Sequence, residues 1–224
     1  MFGFNISAYF HIGKTWGIDE STAFRIIRKI ENILIKSSVF NLPGKKKLFS
    51  SDRQFETVVV DVTETRNSYR STKKKQKKFY SGKKKNHTLK SQVVVEQITG
   101  QIICTFFSQG KKHDFEMFKE SKLWLREDIV CLGDKGYQGI KKYHRNSLTP
   151  KKKPKKSFLT VEDKQKNREL ASRRIVSEHI NRKLKIFRIL SEKYRNRRQR
   201  FGLRFNLIAG IHNYELATAI AAFN

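Results

Sequence analysis

The run Thr57-Val58-Val59-Val60-Asp61-Val62 constrains this chain more than any other segment. Its β-branched residues favour extended backbone, and its continuous apolar character fits a strand covered on both faces. A strand of that kind lies inside a sheet with a layer above and below. It also carries a carboxylate, and a lone buried Asp costs several kcal/mol unless a charge or hydrogen-bonding group meets it. The fold must therefore place a polar partner beside Asp61.

Downstream segments supply the rest of an α/β domain. Gln92 to Glu96 and Gln101 to Phe107, separated by Ile98-Thr99-Gly100, read as a hairpin. A helix is expected from about Asp114 to Trp124, a strand over Ile129 to Leu132, and an exposed Lys-rich, Pro-containing loop over Asn146 to Lys166. Helical patterns follow from Asn167 to about Leu190 and from Leu203 to Ala222, the last apolar almost all round. Ahead of the Pro43-Gly44 break, Phe10, Ile12, Ala23, Ile26, Ile27, Ile30 and Leu34 recur at helical spacing on either side of Thr15 to Asp19. That pattern is a helix, turn and helix, with Asp19 as cap of the second helix and Ser21, Thr22 and Arg25 pointing outward as a major-groove reader would need. An ordinary helical hairpin fits the spacing equally well. The division expected is residues 1–44 as a helix-turn-helix segment and 45–224 as the main domain.

Charge narrows the partner. Lys and Arg number 49 against 20 Asp and Glu, a net +29 with pI about 10.3. Such a surface attracts phosphate backbone, with affinity that falls steeply in salt. Arg66 to Lys90 contains eleven Lys or Arg and no carboxylate, with Tyr69, Phe79 and Tyr80 interleaved. Lys73, Lys74, Lys75, Lys83, Lys84 and Lys85 are its candidate DNA contacts, a solvated tail being the alternative. A basic ribosomal or RNA-binding protein would share this composition. No apolar run reaches membrane-spanning length and no signal-peptide order opens the chain, so a cytoplasmic, nucleoid-associated protein is expected. Cys104 and Cys131 stand alone in apolar stretches and read as buried thiols, without a disulfide or structural metal.

Two further acids have chemical promise. Asp134 follows an apolar strand in Gly133-Asp134-Lys135-Gly136-Tyr137-Gln138-Gly139, where glycines permit close backbone approach. On the long helix Arg174, Arg182 and Lys185 fall within about 40° of Glu178 at ~100° per residue, while Val176, Ile180 and Phe187 lie roughly 160° to 200° away. Singly, Asp134 reads as a turn residue and Glu178 as part of a solvent face. Together, Asp61, Asp134 and Glu178 offer the hard oxygen ligands of a two-metal phosphoryl-transfer site, with Arg174, Arg182 and Lys185 as phosphate-binding cations. No phosphate-cradling Gly-rich loop points to ATP chemistry.

Val60-Asp61, His113-Asp114, Gly133-Asp134-Lys135-Gly136-Tyr137 and Arg174-Ile175-Val176-Ser177-Glu178, in that order, resemble a DDE transposase of the insertion sequence 5 family. Arg174, Glu178 and Lys185 satisfy its pattern of Arg, three residues, Glu, six residues, Lys, although Ala171 stands where a Tyr often precedes the Arg. The resemblance runs from about Tyr9 to Glu215. It implies an RNase H-like mixed sheet flanked by helices, preceded by a small helix-turn-helix. It further implies two divalent metal ions, Mg²⁺ or Mn²⁺, on Asp61, Asp134 and Glu178, and a homodimer on double-stranded DNA holding terminal inverted repeats and target. His113 and Asp114 would start a helix near the site as accessory groups. Relatives begin with further helical sequence, so a truncated copy is expected, and a catalytically inactive or repurposed DNA-binding protein is the alternative.

Overall fold

The β-branched run forms the strand its composition demands. In the computed structural model, which describes residues 6–50, 55–68, 76–154, 158–195 and 199–222, β1 spans Thr57–Arg66. It lies between β3 (Asn86–Glu96), its antiparallel neighbour, and β5 (Val130–Gly133), its parallel one. β4 (Ile102–Gln109) pairs outside β3, β6 (Ser147–Leu148) pairs outside β5, and the short β2 (Tyr80–Ser81) pairs with the start of β3, giving a six-stranded mixed sheet. Val58, Val59 and Val60 are fully buried, so both faces of β1 are covered as expected.

Two apolar cores divide the faces. One joins Val93, Val95 and Ile102 of the sheet to Ile180, Leu184, Leu190, Phe205 and Ile208. These helical residues belong to α4 (Val161–Leu184), α5 (Arg188–Ser191) and α6 (Phe201–Ala221), with α3 (Asp114–Ser121) preceding them in the chain. The other core joins Val58, Val60, Val94 and Ile103 to Phe118 of α3 and to Tyr137 and Ile140 beyond β5. This is the mixed sheet flanked by helices that the resemblance implies. Cys104 and Cys131 are free thiols among the described residues, half-buried and buried, and burial pushes both up to about 12. No helix among the described residues is long and apolar enough to cross a membrane.

Several boundaries differ from expectation for local reasons. β1 runs on to Arg66 and β3 begins at Asn86, so the ends of the basic segment are sheet and Lys90 is buried. α4 starts at Val161, inside the expected loop, because Thr160 Oγ1 accepts from the Asp163 amide at 3.1 Å and Glu162 and Asp163 place negative charge at the helix N-terminus. The remaining loop is tethered, since Asn167 accepts from Lys151 N at 2.9 Å and donates to Lys151 O at 3.1 Å. α4 ends at Leu184, leaving Phe187 exposed rather than on its apolar side. α6 buries mainly its first half, with Phe205 and Ala209 inside and Tyr214 and Glu215 outside.

At the N-terminus α1 (Ile6–Trp16) and α2 (Glu20–Lys36) form the expected helical pair. Gly17 takes φ +63° just after α1, a conformation that strains other residues. Asp19 occupies the cap position of α2 but its side chain makes no cap hydrogen bond. The pair is fixed to α6 by charge: buried Glu31 accepts from Arg200 Nε at 2.7 Å and Arg204 Nε at 2.6 Å, and Arg204 Nη2 donates to Tyr9 Oη at 3.0 Å. Asn213 of α6 closes the start of β4, accepting from Ile102 N and donating to Ile102 O, each at 2.8 Å.

Removing Glu31 strands two guanidinium groups in a dry interface. Glu31→Ala is expected to destabilise the fold by about 3–5 kcal/mol, the range for breaking a buried pair from one side. Urea unfolding of both proteins measures it, and a loss under about 1 kcal/mol would mean that water reaches the arginines.

Candidate active site

Asp61 finds its polar partner on α4. Strand alternation turns Val58 and Val60 toward the α3 core and Asp61 toward α4, where Asn181 Nδ2 donates to its Oδ2 at 2.9 Å. The Val62 amide donates to Oδ1 at 2.9 Å, and Arg174 Nη2 stands 4.0 Å from the same oxygen. These contacts do not fully offset desolvation. Burial raises the Asp61 pKa above 3.8, opposed by Arg174 and the Val62 amide, while the nearby Asp134 charge raises it further and the Ser177 hydroxyl lowers it.

Asp134 is brought alongside by the parallel pairing of β1 with β5, in which Val60 is opposite Gly133. The residue after each strand position is thus an acid. Asp134 also serves the turn residue's role, accepting from the Gly136 amide at 2.7 Å and capping the short 3₁₀ turn Lys135–Tyr137. Its carboxylate is held at the strand end by that bond.

α4 presents Arg174, Ser177 and Asn181 to β1, a spacing of three and four residues that keeps one helical face. Ser177 is buried, with its hydroxyl donating to Arg174 O at 2.9 Å. Neither Ser177 nor Asn181 was singled out from the sequence, yet their spacing from Arg174 was the available signal. Glu178 and Arg182 lie on the exposed flank of the helix. The structure thus brings Asp61, Asp134 and Arg174 together, and no three His, Cys, Asp or Glu side chains among the described residues are grouped closely enough to hold a metal.

The basic candidates separate into groups. Lys185, at the end of α4, has its pKa lowered by partial burial and by the Lys84 charge, with Glu64 and Asp61 opposing. Lys83, Lys84 and Lys85 are exposed on the turn between β2 and β3. Lys73, Lys74 and Lys75 lie outside the described residues. Ser21 and Arg25 are exposed on α2, where Arg25 Nη2 donates to Thr22 Oγ1 at 3.3 Å. His113 holds the cap position of α3, exposed and without a side-chain cap bond, whereas Asp114 turns inward to Lys90 at 2.8 Å.

The family model described as DDE superfamily endonuclease matches residues 60–213. A probable transposase for insertion sequence element IS702 from Microchaete diplosiphon is 56% identical over 209 residues, covering 93% of this chain and 75% of that protein. No solved structure matches this chain.

The raised Asp61 pKa has a definite sign in stability. The folded chain binds that proton more tightly than the unfolded one, so above the folded pKa the buried charge destabilises the fold, and the penalty fades as pH falls toward 3.8. Asp61→Asn should therefore raise the thermal midpoint of metal-free protein at neutral pH, with the gain shrinking in acid. Calorimetric melts across pH test this; a lower midpoint for the variant at neutral pH would show the Asp61 charge to be stabilising.

Proposed function

The chain belongs to the DDE superfamily of endonucleases and is a transposase with an RNase H-like domain, and from that premise we propose that Asp61, Asp134 and Glu178 carry its phosphoryl transfer with divalent metal ions. The observation that carries the reading is the parallel register of β1 and β5, which sets Asp61 beside Asp134 although their charges repel. The donor set fits a hard cation: two carboxylates are close, one is under-compensated, and Asn181 Oδ1 is buried without a hydrogen-bond partner among the described residues. Glu178, on the exposed flank of the helix that supplies Arg174 and Asn181, would complete the ligand set. Bound Mg²⁺ or Mn²⁺ would supply Lewis-acid activation of the attacking oxygen and stabilisation of the leaving oxygen.

The chain's own groups do the remaining work. Asn181 orients Asp61 through Oδ2, and the Gly136 amide orients Asp134. Arg174, Arg182 and Lys185 hold phosphate, and Lys83, Lys84 and Lys85 carry the backbone of double-stranded DNA toward the acids. Ser21, Thr22 and Arg25 of the 1–44 segment read the terminal inverted repeats. The reaction is cleavage at element ends followed by attack of the freed 3′-hydroxyl on target DNA, in a homodimer that pairs two ends. Arg174, Glu178 and Lys185 support placement in the insertion sequence 5 group.

Cleavage of a labelled terminal-repeat duplex tests the assignment. Asp61→Asn, Asp134→Asn and Glu178→Gln should each slow cleavage by about 100-fold or more, roughly 3 kcal/mol of transition-state stabilisation, and chelator should abolish it. Full activity in Glu178→Gln would remove that residue from the ligand set, and DNA binding by the wild type without any cleavage would favour the catalytically inactive binder. Replacing Lys83, Lys84 and Lys85 by Gln should flatten the log–log salt dependence of binding by about 0.9 for each phosphate left without its cation. An unchanged slope would place the DNA path elsewhere.

A further inference from the structure

Three side chains outside the group formed by Asp61, Asp134 and Arg174 converge on the turn that holds Asp134. Lys90 comes from the interior of β3 and is 8% exposed, with its Nζ donating to Asp114 Oδ1 at 2.8 Å and to Lys112 O at 2.6 Å. Burying an ammonium is costly unless hydrogen-bonding and charged partners meet it, so these contacts make Lys90 part of the interior rather than of the solvated basic surface. Asp114 in turn faces the Asp134 turn. A Cβ at Gly136 would lie 3.2 Å from Asp114 Oδ2 and 2.8 Å from Asp134 Oδ1, so the bare glycine leaves both carboxylates room to approach.

The next residue supplies an independent sign. Tyr137 is fully buried, yet its hydroxyl has no hydrogen-bond partner among the described residues. The phenol lies within the electrostatic reach of Asp114, Asp61 and Asp134 together. A buried hydroxyl without a partner costs roughly 1–3 kcal/mol, which a structure tolerates where a later state satisfies it. A Lys–Asp pair that merely fastened α3 to the sheet would need neither the bare glycine nor this phenol beside it.

We propose that Lys90, Asp114 and Tyr137 are positioning residues for Asp134, which set how tightly the acid pair holds its divalent cation without ligating it themselves. Lys90 holds Asp114 against the Gly136 turn. Asp114 then keeps that turn, and with it the Asp134 carboxylate, in place, and the unpartnered Tyr137 hydroxyl would donate to a carboxylate of the pair when the cation is bound. This inference rests on Asp61 and Asp134 being the metal-binding pair.

The test is direct Mn²⁺ binding to full-length protein, read from the paramagnetic resonance signal of free Mn²⁺, beside duplex cleavage as a function of Mn²⁺. Asp114→Asn and Tyr137→Phe should each raise the Mn²⁺ dissociation constant by about 10–100-fold, the usual effect of losing a group that supports a metal ligand. Saturating Mn²⁺ should restore most of the cleavage rate in both. Lys90→Arg should stay nearer the wild type than Lys90→Met, and if the Met variant fails to fold, the Arg and Phe variants still decide. Wild-type Mn²⁺ affinity in well-folded Asp114→Asn and Tyr137→Phe overturns the proposal, as does a cleavage defect in both that Mn²⁺ cannot repair. Asp134→Asn separates the two readings: loss of Mn²⁺ binding there upholds the acid pair whatever the other variants do. Unchanged binding in Asp134→Asn removes the acid pair and this inference with it.

Discussion

Like charges held side by side are the constraint around which this fold is arranged. β1 and β5 could pair in parallel without acids at their matched positions, but Val60 opposite Gly133 leaves Asp61 and Asp134 as neighbours. α4 answers that repulsion by bringing Arg174, Ser177 and Asn181 against Asp61, while Lys90 meets Asp114 behind the Asp134 turn. α4 runs from its cap at Thr160 past the residues that face β1. The sheet and the helix are thus two halves of one electrostatic arrangement, with the apolar cores holding them at the required separation.

The basic composition is divided between two uses. Exposed lysines such as Lys83 and Lys85 give the surface its attraction for phosphate. Arg200, Arg204 and Lys90 instead turn inward, where each meets a buried or half-buried carboxylate. Net charge alone therefore overstates the surface available to nucleic acid. The inward-turned cations also explain how a chain with so few acids keeps several of them away from solvent: Glu31, Asp61 and Asp114 each face one, and of the three Asp61 is also a candidate for direct chemistry.

Much of this was legible in the sequence, and the exceptions have physical causes. The β-branched run with Asp61 announced a central strand because burial on both faces requires that composition. Asp134 was legible because glycines bracket it at a strand end. The start of α4 was obscured by the lysines around it, although Thr160 and Asp163 carried a capping signal three residues apart. Lys90 was hidden by its neighbours: a lysine closing a basic segment looks solvated until the strand register places it over Asp114. Periodicity put Glu178 and Arg182 on the face of Arg174, but a helix packed on a sheet offers only a narrow stripe, and Ser177 and Asn181 occupy it.

The edge of β4 carries one more consequence. A strand edge normally offers its amides and carbonyls to any passing chain. Here the carboxamide of Asn213 imitates a short piece of neighbouring strand by taking both backbone groups of Ile102, and the Gly44 amide occupies Ile103 O at 2.8 Å. Those positions are closed to lateral growth of the sheet. Any union of copies that extended the sheet from this point would first have to evict an amide side chain and a loop, so docking through helices or through DNA itself meets the lower barrier.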